Sequence, residues 1–190
     1  RMQKILILGA SGDLAKAVYR NINKINNKIF KLKKKDINFL NQNSEKKLFL
    51  ILKKIKPDVI INCIGYFDTN KGDFDRIVKS NLFPVWLLIK YYLLNKKSKV
   101  KVISIGSSSY NQPRKKYILY AATKTALNNI HSSAAELFDG SMINFYIINP
   151  PAIKSKMRLK VMKLLKQKVE NKPAEDPDKI ANQIVKKVKI

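Results

Sequence analysis

One cysteine, Cys63, and one histidine, His131, are all that this chain of 190 residues has of the soft metal ligands. A lone cysteine excludes an intrachain disulfide framework and fits a reducing compartment, so a cytoplasmic protein is expected. One histidine beside one cysteine cannot assemble a zinc ligand set, and no metal is expected. No apolar run reaches the length of a membrane span. The apolar stretch 5–8 is far too short for the core of a secretory signal. Internal repeats, low-complexity tracts and linkers are missing too. Acidic residues are scarce: 13 Asp and Glu stand against 39 Lys and Arg, a formal charge of +26.

A basic balance of that size commonly points to nucleic acid or an anionic membrane surface. Here the lysines are spread along the whole chain, arginine is scarce, and Lys, Asn and Ile are enriched together, as in products of A/T-rich coding sequences. No nucleic-acid motif is present, and no face interleaves aromatic with basic residues. No specific nucleic-acid partner is therefore expected, and a polyanion binder driven by charge alone is the weakest reading. The charge still favours anionic small ligands, phosphorylated ones included.

What the chain does have is an alternating α/β pattern. Hydrophobic residues make up 45%, enough for one domain with a real core, read as residues 2–190. Arg1 ahead of Met2 reads as an appended residue, with Met2 the natural start. Short apolar runs at 4–8, 28–32, 58–64, 100–105 and 143–148 read as buried strands. Segments 14–25, 44–55, 73–94, 117–138, 157–169 and 178–188 read as helices. Ser44 is the expected N-cap of its helix, Pro57 its stop, and Pro84 the place of an expected bend. Unbroken apolar strands between helices imply a doubly wound parallel sheet in a three-layer α/β/α arrangement. Cys63 reads as a buried strand residue, Trp86, Tyr91 and Tyr92 as core or interface, and His131 as a residue without chemistry.

Two places in this pattern carry chemistry. Gly9-Ala10-Ser11-Gly12-Asp13-Leu14-Ala15 follows the first strand and opens the first helix. Glycines there let the backbone turn tightly and approach a phosphate, and a helix N-terminus offers free N–H groups and a partial positive charge to it. Tyr120 and Lys124 lie about one turn apart on one helix face. An ammonium one turn from a phenol favours the phenolate, lowering the tyrosine pKa and making a proton-transfer pair. Ser107 lies thirteen residues before Tyr120.

In order along the chain, these segments resemble the short-chain dehydrogenase/reductase family over nearly the whole length. Gly9-x-x-Gly12-x-x-Ala15 resembles the family's glycine motif, with Ala15 in place of the third glycine. Asn62-Cys63-Ile64-Gly65 resembles the Asn-Asn-Ala-Gly segment that borders the adenosine ribose. Asn81 resembles the helix asparagine of the catalytic tetrad, and Ile103-Ser104-Ile105-Gly106-Ser107 the strand end that delivers the catalytic serine. Tyr120 and Lys124 resemble the Tyr-x-x-x-Lys pair. Asn149-Pro150-Pro151-Ala152-Ile153-Lys154-Ser155 resembles the Pro-Gly segment that holds the nicotinamide carboxamide.

The resemblance implies a Rossmann-like fold and an NAD(P)-dependent interconversion of a small carbonyl and an alcohol. It assigns Tyr120 the proton at the substrate oxygen, Ser107 a hydrogen bond to that oxygen, Lys124 the nicotinamide ribose, and Asn81 a bend in its helix and a proton-relay water. Ser108 and Ser109 are alternatives for the serine. Cofactor contacts are implied at Gly9, Ser11, Gly12, Asp13, Leu14, Lys33, Lys34, Asp36, Ile37, Asn62, Cys63, Gly65, Tyr120, Lys124, Pro150, Ile153 and Ser155. The stretch Lys31–Lys35 has no carboxylate before Asp36, so NADP(H) is favoured over NAD(H); Asp36-Ile37 resembles the family's pair near the adenine.

The pattern is also broken. One βα unit is missing between Gly9 and Asn62, Pro151 replaces a glycine, the lid after Ser155 is short, and the family's last strand is absent before Ile190. The site is expected to be open or completed by a partner subunit, in a homodimer or homotetramer built on helices 73–94 and 117–138. The rival reading is a catalytically silent NAD(P)-binding scaffold or redox-sensing regulator on the same fold.

Overall fold

The computed structural model describes residues 2–167 and 173–188. Five strands, β1 (Gln3–Leu8), β2 (Asn27–Leu32), β3 (Val59–Asn62), β4 (Val100–Ile105) and β5 (Ile143–Ile148), form one sheet in the order β2-β1-β3-β4-β5. Every pairing is parallel; Ile5 stands beside Val59, and Val59 beside Lys101. Six helices, α1 (Asp13–Asn21), α2 (Ser44–Ile55), α3 (Phe74–Leu94), α4 (Ile118–Leu137), α5 (Lys156–Leu164) and α6 (Pro177–Val188), complete the described chain.

Alternation along the strands decides which residue meets which layer. Ile5, Ile7, Val59, Ile61, Ile103 and Ile105 face α1 and α6, which bring Ala17, Val18, Ile180 and Ile184. Leu6, Leu8, Ile60, Val102 and Phe145 face the other way, onto Leu48 and Leu52 of α2, Val85 and Leu88 of α3 and Leu127 of α4. Burial on both faces explains the nearly unbroken apolar strands, and the result is a doubly wound, Rossmann-like, three-layer α/β/α architecture. A single helix, α2, lies between β2 and β3, matching the missing βα unit.

Several local expectations are corrected. Helix α1 stops at Asn21, because Ile22 turns into extended backbone and Ile25 is exposed. Ser44 is the first residue of α2, not its cap; the cap position is Asn43, and the Ser44 hydroxyl is buried without a partner. Strand β3 ends at Asn62, so Cys63 follows the strand and is half-buried. Trp86 is 52% exposed, which narrows its core-or-interface reading to the surface, whereas Tyr92 is buried as that reading allows. Among the described residues, α3 is long and apolar enough for a membrane span, with 21 residues and an 18-residue window of mean hydropathy 1.2. Its Ile77, Val85, Leu87 and Leu88 are buried within the fold, which fits a core helix. The last residues of the helix expected at 157–169, like Arg1, lie outside the described residues; α5 ends at Leu164.

Candidate active site

In an open parallel sheet, ligands bind beyond the carboxyl ends of the strands, where neighbouring connections diverge to opposite faces. Here that point lies between β1 and β3, and a cleft of about 540 Å³ opens there. Gly9 makes the turn out of β1 with φ +73°, and a Cβ on it would stand 3.0 Å from the Ile64 backbone nitrogen. An L side chain at this position would meet both conformational strain and a clash. Gly12 occupies the N-cap position of α1 without a side-chain cap bond. It lines the cleft, and a Cβ there would meet nothing closer than 3.5 Å. The chain thus presents a bare helix N-terminus to the cleft, a cradle suited to a pyrophosphate.

Three elements bring the reactive side chains together. Ser107 follows β4, and its backbone nitrogen donates to Asn149 Oδ1 at 3.1 Å. Its Oγ accepts from the Ser109 nitrogen at 3.1 Å and lies near enough to the Tyr120 phenol to favour the phenolate. Lys124 is 3% exposed. Its Nζ donates to the Ile105 carbonyl at 3.2 Å and lies 5.7 Å from the Tyr120 ring centroid. Two of the three ammonium protons are left for other acceptors. A methyl group built on Gly65 would be 3.7 Å from Lys124 Nζ, 3.9 Å from Asn81 Oδ1 and 4.0 Å from Met157 Cε. The loop after β3 and helices α3, α4 and α5 therefore converge on one point.

The electrostatics differ from the sequence reading, in which Lys124 lowers the Tyr120 pKa. Burial pushes the Tyr120 phenol up to about 12; the Ser107 hydrogen bond lowers it only in part, and Tyr117 adds to the rise. Burial also brings Lys124 down to about 8. Desolvation shifts both groups toward their neutral forms, which leaves Tyr120 a phenol and Lys124 still mostly an ammonium near neutral pH. Burial raises the Cys63 thiol to about 12 as well, which keeps it protonated and a poor nucleophile.

Of the residues named from sequence, Ser11, Gly12, Asp13, Leu14, Cys63, Gly65, Ser107, Tyr120, Lys124, Pro150, Ile153 and Ser155 line this single cleft. Others stand behind it. Asn81 is buried and spends its amide within the protein: Oδ1 accepts from the Tyr66 nitrogen at 2.8 Å, and Nδ2 donates to the Tyr66 carbonyl and to Thr123 Oγ1, both at 3.0 Å. It clamps the loop after β3 onto α4. Asn62 holds its own strand end, accepting from the Ile64 nitrogen at 3.2 Å. Lys33 and Lys34 are exposed beside the end of β2, where the Ala10 nitrogen donates to the Leu32 carbonyl at 3.0 Å. Ile37 is buried. Asp36 closes a turn, its Oδ2 accepting from the Lys33 nitrogen at 2.8 Å. The Asp13 carboxylate accepts from the Lys156 nitrogen at 2.6 Å, joining α1 to α5.

Sequence reasoning missed a second tier. Asn128, one turn beyond Lys124, accepts from Asn149 Nδ2 at 2.7 Å, and Asn149 in turn accepts from Ser107. A Cβ on Gly106 would fall 1.8 Å from Asn149 Oδ1, so that position must be glycine for the link to form. The spacing Tyr120, Lys124, Asn128 was the available signal, since all three share a helix face. Arg114, Phe67 and Tyr117 also line the cleft and were not singled out.

Comparison with known proteins agrees with this geometry. The short chain dehydrogenase family model matches residues 3–165. A 3-oxoacyl-[acyl-carrier-protein] reductase of Buchnera aphidicola is 29% identical over 124 residues, 61% of this chain and 51% of that protein. The chain thus spans about half the length of this curated relative. The structure of a 3-ketoacyl-(acyl-carrier-protein) reductase from Brucella melitensis, complexed with NADH, superposes with a TM-score of 0.77 at 17% identity, covering 96% of this chain and 88% of that one. A short chain dehydrogenase from Burkholderia cenocepacia in complex with NADP gives 0.81 at 13% identity, covering 98% and 86%. The fold is a doubly wound, Rossmann-like α/β sheet, and the chain belongs to the short chain dehydrogenase family. Its structural neighbours include NAD- and NADP-bound proteins alike.

Proposed function

We propose that the protein interconverts a carbonyl and an alcohol with NADP(H), using Ser107, Tyr120 and Lys124, with Asn81 as a positioning residue. The observation that carries this reading is the meeting of Ser107, Tyr120 and Lys124 in the cleft that the α1 N-terminus also faces. The bound nicotinamide would supply or accept the hydride. Tyr120, protonated at neutral pH by its raised pKa, donates the phenolic proton to the oxygen that becomes an alcohol. Ser107 hydrogen-bonds that oxygen and so fixes the carbonyl against the phenol. Lys124, anchored at the Ile105 carbonyl, would have its remaining protons for a ribose hydroxyl of the cofactor and the phenol. Gly12, Ser11 and the α1 N-terminus would hold the pyrophosphate, and Pro150, Ile153 and Ser155 would lie at the nicotinamide end of the cleft.

The cofactor preference rests on the end of β2. Exposed Lys33 and Lys34 attract a 2′-phosphate, and Asp36 spends an oxygen on the Lys33 nitrogen instead of facing a ribose. No metal takes part in this reading. A cytoplasmic homodimer or homotetramer with a small-molecule substrate remains the accompanying proposal. Purified protein supplied with NADPH and a panel of aldehydes and ketones tests the reading. Turnover should fall by about a thousandfold in Tyr120→Phe. Equal turnover by that variant would remove the assigned role. Tight NADPH binding with no hydride transfer to any carbonyl would favour the silent scaffold.

A further inference from the structure

Arg114 lies between the short 3-10 turn Ser108–Asn111 and α4, half-buried, on the wall of the cleft that holds Ser107 and Tyr120. Its Nε is buried and meets no hydrogen-bond partner. Among the described residues, no carboxylate pairs with its guanidinium. Other arginines are differently placed: Arg20 grips both oxygens of Asp178 at 3.0 and 2.9 Å, and Arg76 lies 4.4 Å from the Tyr66 ring centroid. A partly buried guanidinium that lacks an anion is costly. Its planar fork matches the paired oxygens of a carboxylate or phosphate.

The surroundings say what the rest of such a ligand would be. Phe67, Tyr117 and Tyr120 meet edge to face at 5.1, 5.0 and 6.0 Å between centroids. Met157, Val161, Met162 and Leu165 line the same cleft from α5 and its end. The only carboxylate on the cleft wall among the described residues, Asp13, is bonded to the Lys156 nitrogen.

We propose that Arg114 is the anion-recognition residue of the substrate site. The substrate is then a carbonyl or alcohol with an apolar body and one anionic oxygen group, a carboxylate or a phosphate ester. This rests on the oxidoreductase reading for the word substrate, but the anion site itself can be tested without turnover. Equilibrium binding of benzoate, phenyl phosphate and neutral benzamide is measured on wild type, Arg114→Met and Arg114→Lys, with and without NADPH. Wild type should bind at least one of the two anions tenfold or more tightly than benzamide. Arg114→Met should lose that preference, Arg114→Lys should keep part of it, benzamide affinity should stay unchanged, and thermal stability should not fall. Whichever anion shows the larger Arg114-dependent gain identifies the group. Where hydride transfer is found, benzoylformate should likewise exceed its methyl ester in kcat/KM only when Arg114 is present. Anion binding by Arg114→Met equal to wild type, or a wild type that binds benzamide as tightly as both anions, would overturn the proposal. An Arg114-dependent anion site in a protein that transfers no hydride would retain the site and defeat the oxidoreductase reading.

Discussion

Helix α4 and helix α5 border the same cleft and are held in opposite ways. Along α4, Ala121, Thr123, Lys124, Leu127, His131 and Ala134 are buried. Polar links tie its Lys124 to the end of β4 and its Asn128, through Asn149, to the end of β5. Helix α5 has nine residues and buries Met162 alone. Beside Met162, its contacts include the Ser155 cap on Arg158 at 3.2 Å, the Asp13 bond to Lys156, the Ile153–Glu175 bridge just before it, and Lys160 Nζ 5.0 Å from the Tyr66 ring centroid. The Tyr120–Lys124 side of the cleft is part of the core, whereas the α5 side is a lightly attached cover. On the proposed function, chemistry and substrate choice would be separable.

The largest effect expected from breaking that contrast lies at Gly106 and Asn149. Gly106→Ala would drive a Cβ into the Asn149 amide, forcing β4 and β5 apart or displacing Ser107. Asn149→Ala leaves the half-buried Ser107 nitrogen without its acceptor, worth about 1–3 kcal/mol. Turnover should drop by about ten- to a hundredfold in Asn149→Ala, with NADPH affinity little changed. Stopped-flow kinetics beside a cofactor titration separates the two, and an unchanged rate would show that the link does not position the serine.

A second consequence of a tightly packed α4 is pH sensitivity. His131 is 2% exposed, stacks edge-on to Phe145 at 5.7 Å, and has no hydrogen-bond partner at either ring nitrogen. Burial lowers its pKa from 6.5 to about 4. The unfolded chain takes up this proton near pH 6.5 and the folded chain only near 4, so stability is intact above 6.5 and falls between the two values. The loss is about 3 kcal/mol at the lower end. His131→Leu should abolish that component of the urea midpoint against pH, since removing both unpaired nitrogens costs little. An identical slope in wild type and variant would contradict it.

The smallest effect belongs to α5. Asp13→Asn weakens the bond that joins α5 to α1 and should leave the melting temperature within about 2 °C, while changing KM for cofactor or substrate a few-fold. A large loss of stability there would show that α5 is integral to the core after all.

These differences also mark what could be read beforehand. Strands β4 and β5 were legible to the residue, because each is a mostly apolar run, VKVISI and INFYII, set between polar breaks. The order of Gly9, Ser107, Tyr120 and Lys124 was legible because each sits at a fixed place on a strand end or helix face. The Asn128–Asn149–Ser107 link was not, since the sheet brings together residues distant in sequence. Neither was the upward shift of the Tyr120 pKa, which depends on how much water the fold removes. Arg114 was hidden for the same reason: an arginine in a loop has no pattern, and only the folded cleft shows that its charge lacks a partner.

The central claim is that the α4 face moves a proton while a hydride moves beside it. Single-turnover transfer from deuterated NADPH to a carbonyl that wild type accepts tests it most directly. The account predicts deuterium on the product carbon with wild type, and a rate about a thousandfold lower in Tyr120→Phe at equal cofactor occupancy. Deuterium transfer at the wild-type rate by Tyr120→Phe would contradict it.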